Sequence, residues 1–432
     1  MYSKEQPLAR SIAESNSLWD RALRAIPGGT QTLSKAPSQF VDGVSPKYLA
    51  RGKGCRVWDV DGNEYIDYPM ALGPILLGYD YPPVTEAVIA QVREGTTFTL
   101  MHPKEVELAE RLIDVIPCAE RVRFAKNGAD ATGGAVRAAR ALTGREHVIA
   151  TGYHGYHDWY IASTERNAGI PKLHRELIHT VAFNDLAALE AALSENETAA
   201  VVMELPGVEP NEGYLQAAID ATHRHGAVFV LDEIVTGFRY ALGGAQELYG
   251  IRPDLACYGK GLANGYPLSA VVGSAAAMEA FEEIFFSMTY SGETMSLAAA
   301  LATLDVIESE PVIEHIWARG EQLRGGLRTL AEQVSFEVLL SGNAPRSGIT
   351  FGDGSGAPSN DLRALFLQEA HKHGVLFGVP IFPTYSHSDA DIEQTLSVVE
   401  AAFDRMETAH ISGDVASQLE GRPPGVVFRS HD

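Results

Sequence analysis

From about Pro82 onward, short apolar runs alternate with helical segments, and this alternation narrows the choice of fold more than any other feature of the chain. The runs are RVRFA (121–125), HVIAT (147–151), AAVVMEL (199–205), AVFVLDEI (227–234), LACYG (255–259) and LSAVVGS (268–274). Helical spacing over 84–93, 104–116 and the stretch AAIDATHRHG lies before and between them. Buried apolar strands alternating with helices predict an α/β domain on a mainly parallel sheet, with helices on both faces. In such sheets the chemistry gathers at the carboxyl ends of the strands.

The flanks differ from this core. The N-terminal stretch to Ile26 predicts a helix ended by Pro27-Gly28-Gly29, and CRVWDVDGNEYIDYP predicts a β-hairpin turning at Asp61-Gly62. From about Ser296 a long helix leads into mixed α and β, which predicts a smaller α+β domain. The expected divisions are an N-terminal segment 1–65 packing with the small domain, a large domain 66–309, a small domain 310–407 and an extension 408–432. A chain of 432 residues is long enough for about two such cores.

Composition removes several function classes. A net charge of -22 and the lack of any Lys/Arg run argue against nucleic acid or an anionic membrane as partner. Cys55, Cys118 and Cys257 are scattered, with neither metal-site nor disulfide spacing. The opening MYSKEQPLARSIAES has no apolar leader core, and no apolar run is long enough to span a bilayer. The expectation is a soluble, cytoplasmic protein.

Four strand ends carry candidate chemistry. After RVRFA, the turn Lys126-Asn127-Gly128-Ala129-Asp130 opens a helix. Free amides at such a terminus bind phosphate, although the turn alone is equally an ordinary strand-to-helix connection. It has neither a Walker A nor a GxGxxG frame. After HVIAT comes Gly152-Tyr153-His154-Gly155, where an aromatic either stacks on a planar ring or packs. His154 and His157 suggest zinc, but no further ligand falls at useful spacing, so no metal is expected. Asp232 ends a run of apolar residues, and a buried carboxylate needs a partner, whether a turn amide or a protonated ring nitrogen. Lys260 stands between two glycines after LACYG. A phosphate cradle, a stacking aromatic, a buried Asp and a Lys each have a role with one cofactor, pyridoxal 5'-phosphate, which a lysine holds as a Schiff base.

These motifs carry a likeness. AIPGGTQT, VWDVDGNEYIDY, NGADAT, GYHG, LDEIVTGFR, YGKGLANGYP and YSHSDADIEQTL are spread along nearly the whole chain. The chain resembles the class III, fold-type I pyridoxal-phosphate aminotransferases, and within them the branch containing glutamate-1-semialdehyde aminomutase. The resemblance implies that Lys260 is the cofactor lysine and proton shuttle, and that Asp232 pairs with the pyridine nitrogen. It implies that Ile234 and Tyr153 lie against the two ring faces, with His154 beside them, and that Gly128 and Ala129 give phosphate-binding amides. It implies that Thr289, in SMTYSGET, reaches the phosphate of the neighbouring subunit, hence a homodimer with shared sites.

The chain also departs from the family pattern. Ala129 stands where the family often has Ser or Thr. Lys35 is the nearest cation where the aminomutase has a carboxylate-holding arginine, and Lys does not replace Arg in a bidentate contact. Leu72 stands where the aminomutase has tryptophan, and no arginine occurs between Arg363 and Arg405. YHGYHDWY and GLANGYPLSAVVG are similar to aminotransferases of polysaccharide pathways. The expected activity is amino transfer from an amino acid, L-glutamate, to a keto or aldehyde acceptor such as a sugar. The alternative is 2,1-aminomutase, or other mutase or epimerase, chemistry. Tyr156 and His157, with Trp159 and Tyr160, either line a polar aromatic pocket for the substrate or pack.

Overall fold

The computed structural model describes residues 10–352, 354, 357–378 and 380–425. Within them the chain forms two compact units: residues 10–72, 77–80 and 315–425 make one, and 73–76 with 81–314 make the other.

The first unit opens with helix α1 (Ala13–Ala25), stopped by Pro27-Gly28-Gly29. Strands β1 (Leu49–Lys53), β2 (Arg56–Asp59) and β3 (Glu64–Asp67) follow. β2 and β3 form the expected hairpin, pairing Val57 with Tyr65. Gly62 in its turn takes φ 87°, which a side chain would resist.

In the second unit come α2 (Pro82–Glu94) and α3 (Pro103–Val115), then β4 (Arg121–Ala125) and α4 (Gly128–Thr143). The remaining strands are β5 (His147–Thr151), β6 (Ile178–Thr180), β7 (Thr198–Glu204), β8 (Val228–Asp232), β9 (Leu255–Tyr258) and β10 (Ser269–Gly273). They form one seven-stranded sheet in the order β4-β10-β9-β8-β7-β5-β6. β7, β9 and β10 are buried at every residue, so both faces of the sheet are covered. α4 packs small residues, Ala131, Ala135, Ala138 and Ala139, into the core over Val202, Val230 and Val271.

The sheet is mainly parallel, as expected, with one reversal. β10 runs antiparallel to both β9 and β4. Only residues 259–268 join β9 to β10, too short for a helical crossover, so the chain must turn back. The three-residue β6 carried no readable strand pattern.

The first unit closes with β11 (Glu337–Asn343), β12 (Arg346–Gly352) and β13 (Val375–Leu376), which pairs parallel with β3. Its core joins Val41, Ile66 and Tyr68 to Phe366, Phe377 and Phe403, so residues 66–72, expected in the large domain, belong to this unit. The last long helix runs Asp389–Ser412, past residue 407, and residues 426–432 of the expected extension lie outside the described ones.

Candidate active site

The second unit brings the strand-end residues to one edge of its sheet, because β4, β5, β7, β8 and β9 all point the same way. At the end of β4, Asn127 precedes α4 and its N–H goes to the Asp130 carboxylate at 2.7 Å. The next two amides, of Gly128 and Ala129, find no acceptor among the described residues. They stand at the positive end of a 16-residue helix, the ordinary physical basis of an anion site. A Cβ on Gly128 would stand 3.1 Å from Ile234, so the turn tolerates little there.

β8 delivers Asp232, which is 2% exposed. One carboxylate oxygen accepts from the Ile234 N–H at 3.0 Å, and the other lies 2.7 Å from His154 Nδ1. His154 is buried too, and its Nε2 sits 3.0 Å from the Thr151 carbonyl. A carbonyl only accepts, so Nε2 carries a hydrogen and one proton lies between Nδ1 and Asp232. His154 therefore anchors Asp232 from one side.

The β5 turn is held by several bonds. Tyr160 Oη donates to the Gly152 carbonyl at 2.7 Å, and Thr132 Oγ1 reaches the His154 carbonyl at 2.8 Å. Glu204, paired with Asp232 across β7 and β8, accepts from the Tyr153 N–H at 2.9 Å. Tyr153 itself stays 52% exposed, edge-on to Tyr160 at 5.6 Å. Burial, then Glu204 and Asp232, push its phenol above the usual range.

Glu204 was not among the sequence candidates. Its signal was present: an acid following the apolar run 199–203, the same pattern that marked Asp232.

Lys260 follows β9 and opens a short turn, Lys260–Ala263, with φ 41°. A left-handed non-glycine backbone is costly and gathers at functional sites. Ile234 lies between the cradle and the lysine turn, since a Cβ at Gly259 would also approach it at 3.1 Å.

The remaining candidates are dispersed. Tyr156 is exposed, and His157 lies 3.6 Å from Asp130 and packs on Gly133. Both border a cavity of about 580 Å³ with Arg137, Arg140 and Phe286. Trp159 and Tyr160 are buried in the core of the sheet. Thr289 sits in an exposed turn. Lys35 belongs to the first unit, exposed in the turn Leu33–Lys35. Among the described residues no three His, Cys, Asp or Glu side chains come together as metal ligands, and the three cysteines are free and buried. No described helix is long and apolar enough to cross a membrane.

The donor set fits pyridoxal phosphate. Two helix amides without an acceptor among the described residues suit its phosphate, a buried carboxylate its ring nitrogen, Tyr153 and Ile234 its ring, and Lys260 its aldehyde carbon.

Comparison with known proteins agrees. The family profile described as aminotransferase class-III matches residues 42–403. A 3-aminobutyryl-CoA aminotransferase of Cloacimonas acidaminovorans is 34% identical over 91% of this chain and 97% of its own. A glutamate-1-semialdehyde 2,1-aminomutase of Methanothrix thermoacetophila is 36% identical over 79% of this chain and 83% of its own. Among solved structures, the Sphingopyxis sp. MTA144 FumI protein in its PLP internal aldimine form is 32% identical. It superposes with a TM-score of 0.86 over 92% of this chain and 97% of that one. Family profile, relatives and fold-type I architecture converge, and the chain belongs to the class III aminotransferases as a pyridoxal-phosphate-dependent aminotransferase.

Proposed function

We propose that the enzyme moves an amino group from L-glutamate to a keto or aldehyde acceptor of the sugar class, by a ping-pong route. The observation that carries the amino-transfer part is the convergence of Lys260, Asp232 and the unpartnered Gly128 and Ala129 amides on one sheet edge. When bound, the cofactor supplies an electron sink for the pair left when the carbon beside nitrogen loses its proton. Lys260 Nζ would take that proton and deliver it to the carbon on the other side of the nitrogen. Asp232, fixed by His154 and the Ile234 amide, holds a proton on the ring nitrogen. Tyr153 and Ile234 would bracket the ring, and the Gly128 and Ala129 amides would hold its phosphate end.

The acceptor class follows from what is missing. Lys35 offers no bidentate fork, and no arginine lies between Arg363 and Arg405, so a carboxylate clamp is not provided there. Tyr156 and His157 carry hydroxyl and imidazole groups of the kind a hydroxyl-rich acceptor would use, although the cavity they border includes neither Lys260 nor Asp232. A panel of keto sugars and keto acids with glutamate as donor tests this. Turnover of keto sugars is expected, and activity confined to keto acids ends the sugar reading.

The second reading, a 2,1-aminomutase, is supported by the 36% identity to such a relative. A mutase needs no external donor. Dependence of every turnover on added donor excludes it.

The site is proposed to be completed in a cytoplasmic homodimer, with Thr289 reaching the phosphate of the neighbouring subunit. Leu100 and Met101 are 77% and 82% exposed, and Phe285 and Tyr290 are 79% and 59% exposed. The two segments adjoin, since a Cβ on Gly292 would meet Glu105 and the Thr294 N–H donates to Thr96. Large apolar side chains exposed on adjoining segments support burial by a second copy.

A further inference from the structure

We propose that Lys126 and Glu293 are positioning residues for the cofactor's phosphate end, an ion pair that locks the α4 cradle to the loop 284–293. This rests on the roles given above to Gly128, Ala129 and Thr289. Lys126 Nζ lies 3.0 Å from Glu293 Oε2, with the side chains 15% and 10% exposed. Glu293 has further bonds: it accepts from the Met295 N–H at 2.6 Å and from Ser296 Oγ at 2.7 Å, capping the helix Thr294–Ser309. Lys126 stands two residues before Gly128, so one bond joins the cradle to the end of the loop that carries Thr289.

The other end of that loop is clipped to the same two elements. Arg123 of β4 donates to the Phe286 carbonyl at 2.5 Å, and Arg137 of α4 to the Phe285 carbonyl at 2.6 Å. The Phe286 ring lies against Gly134. The loop and the cradle therefore form one block, closed at its far end by the ion pair. In the proposed dimer this block gives amides to its own cofactor and Thr289 to its neighbour's.

Two considerations favour positioning over mere stability. A buried ion pair is no better than a well-packed apolar pair as a source of stability, but it fixes direction. Ala129 offers no hydroxyl, so the cradle's own hold on phosphate depends on how its amides are aimed.

The test is pyridoxal-phosphate titration of the apo-enzyme, followed by absorbance, with circular dichroism and sedimentation as checks on fold and assembly. Lys126→Met and Glu293→Gln are each expected to raise the dissociation constant about tenfold, the scale of one charged hydrogen bond. Lys126→Arg is expected to restore most of it. The double variant is expected to bind no worse than the weaker single, because one interaction has been removed twice. Wild-type affinity in both singles, or losses that multiply in the double, overturns the proposal. Should Lys126→Met not fold, Glu293→Gln, which keeps an amide oxygen at the helix cap, decides it with the Lys126→Arg variant. Thr289→Ala separates the two readings: wild-type affinity there sinks the shared-site dimer, while the ion pair is judged on its own variants.

Discussion

Lys260 combines a left-handed backbone with a place between two glycines, both readable as requirements of one turn. Lys260→Ala is expected to lose at least about a hundredfold in transamination, the lower end of what a positioned acid–base contributes, while circular dichroism and sedimentation stay as in the wild type. Asp232→Asn keeps the shape of the carboxylate but weakens its hold on a ring proton. It should cost more in rate than in melting temperature, and unchanged steady-state rates would remove Asp232 from the mechanism. Gly128→Ala pushes a Cβ to 3.1 Å from Ile234, and overpacking there should weaken cofactor binding roughly tenfold by titration. Lys260, Asp232 and Gly128 were legible because each breaks a local pattern: a charge after an apolar run, or a glycine before a helix. The Lys126–Glu293 pair was not, since its partners stand 167 positions apart and no spacing announces them.

At the scale of elements, the strand ends were legible where an apolar run stopped at an acid, as in β8. The direction of β10 was not, because direction depends on the length of the connection rather than on the strand's own residues. A second element-level property is the end of β3. Burial lifts the Asp67 carboxyl to about 6, against the Tyr79 hydroxyl, which donates at 2.7 Å, the Met70 amide and the charge of Lys35. A carboxyl raised in the folded state binds its proton more tightly there than in the unfolded chain. Its stabilising contribution is complete below about pH 4 and is lost as pH rises through about 6. Denaturant titrations from pH 4 to 7 should show wild-type stability falling relative to Asp67→Asn, by about 2–3 kcal/mol at most. A constant difference across that range would mean that Asp67 ionises as freely in the folded chain as in the unfolded one.

At the scale of the molecule, the N-terminal segment and residues 315–425 share one core although nearly 250 residues separate them in the chain, roughly a domain and a half. The sequence announced the hairpin itself, with its Asp61-Gly62 turn. The β3–β13 pairing is long-range, and β13 is only two residues long. The proposed dimer belongs to this scale. Met101→Glu places a charge on the exposed apolar surface and should raise the dimer dissociation constant at least about tenfold by sedimentation, as loss of an interface anchor does. Cofactor affinity should fall with it if Thr289 acts across the interface. The measurement that bears most directly on the central claim is the visible absorption spectrum of the purified protein with pyridoxal phosphate, before and after L-glutamate. The account predicts a yellow band that bleaches with glutamate in the wild type and is absent in Lys260→Ala. A wild-type protein that acquires no such band would contradict the assignment of Lys260 and, with it, the mechanism built around it.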